Sequence, residues 1–165
     1  YAWRDDELDW TAKQARHIWS SFHRLWPEFR LWHEREAKIL TMRGYAISEI
    51  GRKRRLPAAL EEQGYEAHEA RNQGINMPIQ SLASDITQAA MIILDRQTEE
   101  QGAPWKIVGN VHDALLFEVP DENADTACRD IHGIMVRAHR SLRPLGLHLP
   151  DGLLTVEMTA GPWGE

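Results

Sequence analysis

The sequence is poor in cysteine and has no long apolar run, and each deficit excludes a class of protein. Among its 165 residues the single cysteine, Cys128, cannot form an intrachain disulfide or a multi-cysteine zinc site. No apolar stretch approaches the length of a membrane-spanning helix, and the first residues show no signal-peptide pattern. We therefore expect a protein of a reducing intracellular compartment with no membrane partner.

The overall charge of the chain is negative, but some of its basic residues are concentrated in one place. A net charge of −6 argues against a generic nucleic-acid coat protein. The charge is uneven, however, because Arg52, Lys53, Arg54 and Arg55 form an uninterrupted basic block. Such a block is either a solvated loop or a contact to a phosphate backbone. With 42% apolar and 27% charged residues, the chain is globular, and we expect residues 1–165 to form a single domain.

Hydrophobic spacing predicts a pair of helices at the start of the chain. Residues 9–26 carry apolar side chains at helical intervals, and Asp9 suits the N-cap. Pro27 ends this helix and opens a second one, since proline is tolerated in a first helical turn. The second helix is expected to reach about Met42, with Gly44 as its C-terminal cap.

A longer helix is predicted over residues 66–101. Pro78 interrupts it, so we expect a kink or a new helix start there. Its apolar residues recur at steps of three and four and predict a buried stripe. The stripe consists of Ile75, Ile79, Leu82, Ile86, Ala89 or Ala90, and Ile93.

The stretch "GNVHDALLFEVP" indicates a β-hairpin over residues 106–119. Leu115, Phe117 and Val119 would face one side, and His112 and Asp113 would stand at the tight turn. The other predicted elements are a basic hairpin at 45–57, a helix at 121–142 and a strand at 153–159. Helices and strands mix without regular alternation, so the expected fold class is α+β with an antiparallel sheet.

Two groups of polar residues allow both a structural and a functional interpretation. Aspartate favours turns because its side chain can bond its own backbone two residues further on. The pair His112 and Asp113 alone therefore indicates no more than a turn. Asn76 and Gln80 share one face of the long helix, a polar edge that Ser84 and Thr87 continue. Amides can bond the acceptors of a DNA minor groove without choosing a sequence, but most such rows are solvated helix edges.

Three motifs together make the sequence recognisable. "GRKRRLP" at residues 51–57, "RNQGINMPIQSLASDI" at 71–86 and "VHDALLFEVP" at 111–120 resemble family A, polymerase I-like DNA polymerases. Their order and rough spacing agree, and the resemblance covers essentially the whole chain, most closely a bacteriophage-type branch. It implies the C-terminal palm and fingers portion of that fold, a palm-type antiparallel sheet with several long helices.

The resemblance implies a role for each of these polar groups. Asp113 matches the motif C aspartate, which holds catalytic metal ions, and His112 would support the primer terminus. Asn76 and Gln80 would touch the minor-groove side of the primer–template. The expected cofactor is Mg²⁺, two ions in the complete enzyme, and the expected reaction is DNA-directed nucleotidyl transfer from deoxynucleoside triphosphates.

Basic residues complete the implied DNA interface. Arg52, Arg54 and Arg55 would lie near the phosphate backbone and act without sequence preference. Arg71 is a further candidate, although the family usually places its arginine one residue later, where this chain has Asn72. The family often has a glutamate after the motif C aspartate, and here that position is Ala114.

The family's other metal-binding aspartate and its nucleotide-gripping helix belong to a segment upstream of these residues. We therefore expect the chain to need that segment, in cis or as a separate chain, and to be inactive alone. Exposed strand edges and tryptophans predict self-association of the isolated chain. Alternatives are a non-catalytic DNA-binding or assembly module and a single-subunit RNA polymerase. The expected location is the cytoplasm of a bacterial or phage-infected cell, in replication or repair.

Overall fold

The computed structural model describes residues 11–162, which group into two compact units. One unit comprises Leu56–Ile75 together with the described residues up to Tyr45. The other comprises Ala46–Arg55 and the described residues from Asn76 onward. The first unit is mostly helical and the second combines helices with two short hairpins, so the α+β class predicted from sequence is confirmed.

Two helices open the first unit, as the spacing predicted. Helix α1 spans Ala12–Leu25 and α2 spans Pro27–Arg43. Thr11 is the N-cap of α1 and exchanges hydrogen bonds with Gln14 in a capping box. Asp9, the predicted N-cap, lies outside the described residues. Gly44 ends α2 in the left-handed conformation at φ 66°, which confirms its predicted role.

The aromatic side chains of α1 remain at the surface. No residue of α1 is buried, and Trp19 and Trp26 are each about three-fifths exposed. Phe22 meets Phe29 of α2 edge to face, with ring centroids 5.3 Å apart. Apolar spacing on α1 is therefore real, but within the described chain nothing covers that face. Self-association of the isolated chain stays a prediction.

The predicted basic hairpin is present in shorter form. Strand β1 spans Tyr45–Ile47 and pairs with β2, which spans Lys53–Arg55. Gly51 lies in the connecting turn at φ 89°, a conformation that side chains disfavour. A short 3₁₀ turn, Pro57–Leu60, follows the hairpin.

Helix α3 spans Tyr65–Gln101 and confirms the predicted long helix. Of the two outcomes predicted at Pro78, a new helix start is wrong, because the helix runs through it, and a kink stays a prediction. Proline removes one backbone hydrogen bond, and the helix continues on both sides of it. Gly74, at the position four residues earlier, lies against Leu40. A methyl group there would come within 2.5 Å of Leu40 Cδ1, so the helix packs closely at this point.

The predicted apolar stripe of α3 is partly correct. Ile75, Ala89 and Ala90 are buried, as expected. Ile79 is 57% exposed, so its assignment to the buried stripe is wrong. One step of four rotates Ile79 by only about 40° from Ile75, so its exposure reflects what packs against that turn of the helix and not its phase.

The second unit is organised around a core beneath its hairpin. Strand β3 spans Lys106–Val111 and pairs with β4, which spans Ala114–Glu118. The hairpin packs on the fully buried side chains of Leu94 and Ile131, with Trp105 beside them. Half-buried and exposed residues alternate along β4, which confirms the predicted inward face. That face consists of Leu115, Phe117 and the following Val119.

Two predictions near the C-terminal end need correction. The helix expected over 121–142 is divided into a 3₁₀ turn at Asp121–Asn123, helix α4 at Ala124–Met135 and a 3₁₀ helix at Ala138–Leu145. Arg137, at φ −107° and ψ −2°, leaves the α-helical region between the last two elements. The strand expected over 153–159 does not form, since no strand within residues 11–162 pairs with it.

Asp151 holds the 3₁₀ helix at Ala138–Leu145 through arginine contacts. Its Oδ1 accepts a hydrogen bond from Arg140 Nε at 2.9 Å, and its Oδ2 lies 2.8 Å from another nitrogen of the same guanidinium. The hydrogen bond from Arg140, together with the positive charges of Arg140 and Arg143, lowers the pKa of the Asp151 carboxyl below 3.8. Burial opposes this shift only in part.

This depressed pKa gives a testable pH dependence. A carboxyl with a lower pKa in the folded state stabilises fully above its unfolded value and loses that contribution as pH falls through the folded value. Asp151→Asn should therefore lower the urea midpoint at neutral pH, and the difference from the wild type should shrink as pH falls below 3.8. Asp130→Asn, at another exposed aspartate, is the control. A difference that widened in acid would contradict the assignment.

Among the described residues, no helix combines the length and the apolar character needed to cross a membrane.

Candidate active site and nucleic-acid interface

His112 and Asp113 form the two-residue turn of the β3–β4 hairpin. Val111 pairs with Ala114 across the turn, so the two site residues stand at its tip. His112 has φ 59°, and no other non-glycine residue in the described part of the chain has a positive φ. A positive φ at the first turn position only is the sign pattern of a type II′ turn, where glycine is usual. Strained backbone of this kind clusters at functional sites.

The strands below the turn hold it in place. Ile107 pairs with Phe117 and Gly109 with Leu116, so Val108 is the extra residue of a β-bulge. A bulge bends its strand and re-aims the residues beyond it, and bulges recur beside active sites. Because Phe117 packs on the buried core, the base of the hairpin is fixed while its tip projects outward.

Asp113 is exposed and available to a ligand. Within the described part of the chain, its carboxylate makes no hydrogen bond or ion pair. An exposed carboxylate on a rigid turn suits a hard divalent cation, which prefers oxygen ligands. Among residues 11–162, however, no three histidine, cysteine, aspartate or glutamate side chains come together to hold an ion. Among the described residues, the tip of the hairpin therefore presents one carboxylate, that of Asp113.

Two other acids could have completed the site, and neither does. Asp85 is buried and pairs with Arg52. Glu118 lies at the opposite end of the hairpin, across from Lys106. The side chain of Ala114, which follows Asp113, has no ligating atom. Within the described residues, the hairpin tip thus carries a single carboxylate.

The polar edge of α3 is present over part of its predicted length. Asn76, Gln80 and Ser84 are exposed at successive steps of four residues. Thr87 is buried instead, and its hydroxyl donates to the carbonyl of Ala83 at 3.1 Å. Placing Thr87 on this edge is therefore wrong, although its helical phase matches that of Asn76 and Gln80, because burial depends on what packs against each turn of the helix.

The basic block lies on and beside β2. Lys53, Arg54 and Arg55 make up the strand and are all exposed. Arg52 precedes it and donates from its guanidinium to Asp85. All four residues of the block are exposed, and Arg52 in addition binds the buried acid Asp85.

Arg71 serves a structural role in the first unit. Its guanidinium donates to the backbone carbonyl of Ala59 at 3.3 Å and to that of Glu61. These bonds join α3 to the end of the preceding 3₁₀ turn. These bonds use one nitrogen of the guanidinium, and a DNA contact by Arg71 stays a prediction.

Of the predicted site residues, all except Arg71 belong to the second unit. Sequence reasoning missed the pairing of Arg52 with Asp85. One signal was available, since Asp85 lies one residue before Ile86 within the apolar stripe of the long helix. An acid in such a place is expected to need a partner.

Comparison with known proteins identifies the family. The sequence model of DNA polymerase family A matches residues 5–162. The chain belongs to DNA polymerase family A. DNA polymerase I of Chloroflexus aurantiacus is 30% identical over 139 residues, covering 84% of this chain. The thermostable DNA polymerase I of Thermus aquaticus is 30% identical over 147 residues, covering 88% of this chain.

The family A chain spans a small share of these relatives. The matched region is 15% of the Chloroflexus aurantiacus polymerase and 17% of the Thermus aquaticus polymerase. A solved structure, the POL domain of Pol1 from M. smegmatis in complex with DNA primer-template and dNTP, superposes with a TM-score of 0.71. That similarity covers 78% of this chain and 23% of the other, at 26% identity. The bacteriophage-type branch stays a prediction.

Proposed function

We propose that this chain forms part of the polymerase domain of a DNA-directed DNA polymerase, acting in replication or repair in a bacterial or phage-infected cytoplasm. The reaction is template-directed transfer of a nucleotide from a deoxynucleoside triphosphate to a primer 3′-hydroxyl. The observation that carries the proposal is the exposed Asp113 on a strained, core-anchored turn in a chain of this family. Primer extension with and without the Asp113 carboxylate tests it.

Asp113 is the residue we assign to metal binding. Its carboxylate would be one ligand of a divalent cation, with Mg²⁺ favoured by the oxygen donor. Two such ions, when bound, lower the pKa of an attacking hydroxyl and neutralise charge on the phosphates. His112, beside it on the turn, would support the primer terminus. An upstream polymerase segment, in cis or as a separate chain, would supply the remaining ligands and the grip on the nucleotide.

The neighbouring polar surface of the second unit suits duplex DNA. Asn76 and Gln80 expose amides that can donate to the acceptors every base pair offers in the minor groove. Arg54 and Arg55 on β2 would lie along the phosphate backbone. In support, the similar M. smegmatis structure was determined with primer-template DNA and dNTP.

These two surfaces predict different salt dependences of DNA binding. Neutralising Lys53, Arg54 and Arg55 to glutamine should flatten the slope of log affinity against log salt by up to about 0.9 per lost phosphate contact. Alanine at Asn76 and Gln80 should weaken binding roughly two- to tenfold per residue and leave the slope unchanged, since amides release no counterions.

The measurement is fluorescence anisotropy of a labelled primer–template across a salt titration. Arg96→Gln, which removes a positive charge from the exposed side of α3, is the matched control. The interface assignment fails if the amide variants change the slope and the β2 variants do not.

A second candidate is a non-catalytic DNA-binding or assembly module. Ala114 after Asp113, and the single carboxylate at the described site, favour it. The two candidates differ in primer extension and agree in DNA binding. Mixing the chain with an upstream polymerase segment and assaying extension separates them.

A further inference from the structure

Asp85 is a buried acid with a specific partner in the second unit. Its side chain is 2% exposed, although it lies on α3 between exposed Ser84 and half-buried Ile86. The guanidinium of Arg52 donates to its Oδ1, and Ser81 Oγ lies 3.4 Å from its Oδ2. A buried polar group needs a bonding partner, and the half-exposed guanidinium of Arg52 is that partner for Asp85.

Arg52 is also part of the turn that joins β1 to β2. Its backbone N–H donates to Ser48 Oγ at 3.0 Å, and its carbonyl accepts from the Ser48 N–H at 2.8 Å. The Gly51 N–H donates to the Ser48 carbonyl at 2.9 Å. Ser48 is itself buried. Because the backbone of Arg52 belongs to this turn, the contact of its side chain with Asp85 attaches the tip of the basic hairpin to α3.

The attachment point lies on a different face of α3 from the exposed amides. Ser81 and Asp85 share one face of the helix. Because successive residues are rotated by about 100°, Asp85 stands roughly 140° from Gln80 and roughly 180° from Asn76 around the helix axis. The hairpin tip is thus held on the side of α3 that faces away from the amides proposed to face the minor groove.

We propose that Asp85 is a positioning residue for DNA binding: through Arg52 it holds the basic hairpin in a fixed place on α3. The exposed basic residues of β2 are then ordered before DNA arrives. Arg52 is accordingly bound to Asp85, and the basic residues of β2 make the phosphate contacts. This inference rests on the proposed function, because it concerns how the same surface binds a primer–template.

A positioning role and a purely electrostatic role of Asp85 predict opposite changes in DNA affinity for Asp85→Asn. The substitution removes a negative charge close to a DNA-binding surface and frees Arg52, so electrostatics alone predicts tighter binding. Loss of the anchor predicts weaker binding, because the hairpin must then be ordered when DNA binds. The sign of the change in affinity therefore distinguishes the two.

The experiment compares Asp85→Asn, Asp85→Glu and Asp95→Asn with the wild type in the full-length protein. Asp95 is an exposed acid on the same helix and matches the charge change. A labelled primer–template is the probe for affinity. Hydrogen exchange of the Ser48, Gly51 and Arg52 amides reports hairpin order, and circular dichroism verifies folding.

Asp85→Asn is expected to speed exchange of those amides about tenfold or more and to weaken DNA binding at least roughly threefold. Asp85→Glu, which keeps the charge, should recover part of both, and Asp95→Asn should bind as well as or better than the wild type. Tighter binding by Asp85→Asn, or unchanged exchange in the hairpin, would overturn the proposal.

A wild-type protein that failed to bind primer–template would contradict the proposed function instead. The exchange comparison would then still decide whether Asp85 anchors the hairpin. If Asp85→Asn does not fold, Arg52→Gln paired with Arg55→Gln replaces it, since each removes one positive charge from the hairpin and only Arg52 contacts Asp85. Equal loss of affinity and equal exchange in those two variants would also overturn the proposal.

Discussion

Replacing Asp113 with alanine should lower the rate of primer extension at least about 10³-fold, because metal-assisted stabilisation of transition-state charge is worth several kcal/mol. The substitution is made in this chain combined with an upstream polymerase segment, in cis or as a separate chain, with primer–template, deoxynucleoside triphosphates and Mg²⁺ present. Asp113 is exposed at the hairpin tip and its side chain makes no contact with the core, so folding should be preserved. Extension of a labelled primer under single-turnover conditions measures the effect.

Two variants make this test specific to the turn carboxylate. Asp95→Ala removes an exposed acid from α3 and should extend primers at nearly the wild-type rate. Asp113→Asn keeps the size of the side chain and loses its charge, so it should be nearly as impaired as alanine. Extension by Asp113→Ala within a few fold of the wild type, with circular dichroism unchanged, would refute the assignment of Asp113 as a metal ligand.

Leu94→Ala should lower the free energy of unfolding by about 2–5 kcal/mol, the usual cost of such a truncation in a core. Leu94 is fully buried on α3 and packs in the cluster that contains Trp105 and Ile131. Its backbone carbonyl also accepts hydrogen bonds from Trp105 Nε1 at 3.2 Å and from Thr98 Oγ1 at 3.2 Å. A cavity at this point would loosen the base on which the β3–β4 hairpin rests.

Urea unfolding, followed by tryptophan fluorescence and circular dichroism, measures this loss. Ile92→Ala is the matched control, since Ile92 lies on the same helix and is 55% exposed. It should cost less than about 0.5 kcal/mol, as surface substitutions usually do. Equal destabilisation by the two variants would show that the cluster around Leu94 is not the core of this unit.

The elements that sequence predicted well are those with local causes. Gly44 ends α2 because a left-handed residue there costs glycine nothing, and Pro27 opens α2 because its missing N–H is not needed in a first turn. The β3–β4 hairpin follows from the alternation of Leu115 and Phe117 with polar or exposed neighbours. Each signal acts within a few residues, so one sequence is enough to recognise it.

The predictions that failed depended on partners elsewhere in the chain. Residues 153–159 have the alternation of a strand, yet a strand needs a neighbour to pair with, and the described residues offer none. Ile79 fits the spacing of the buried stripe, yet it faces outward, because burial depends on what packs against each turn of the helix. Periodicity predicts which residues can share a face and does not identify what will cover it.

The order of the motifs, the family and the position of Asp113 on a tight turn could all be predicted from the sequence. They depend on side-chain identity and short-range backbone preference, which a single sequence shows. The bonding partners of the basic residues became known only from the tertiary structure. Arg71 binds loop carbonyls and Arg52 binds Asp85, 33 residues further along the chain. A guanidinium takes whichever acceptor folding brings within reach, and that choice is absent from the linear order of residues.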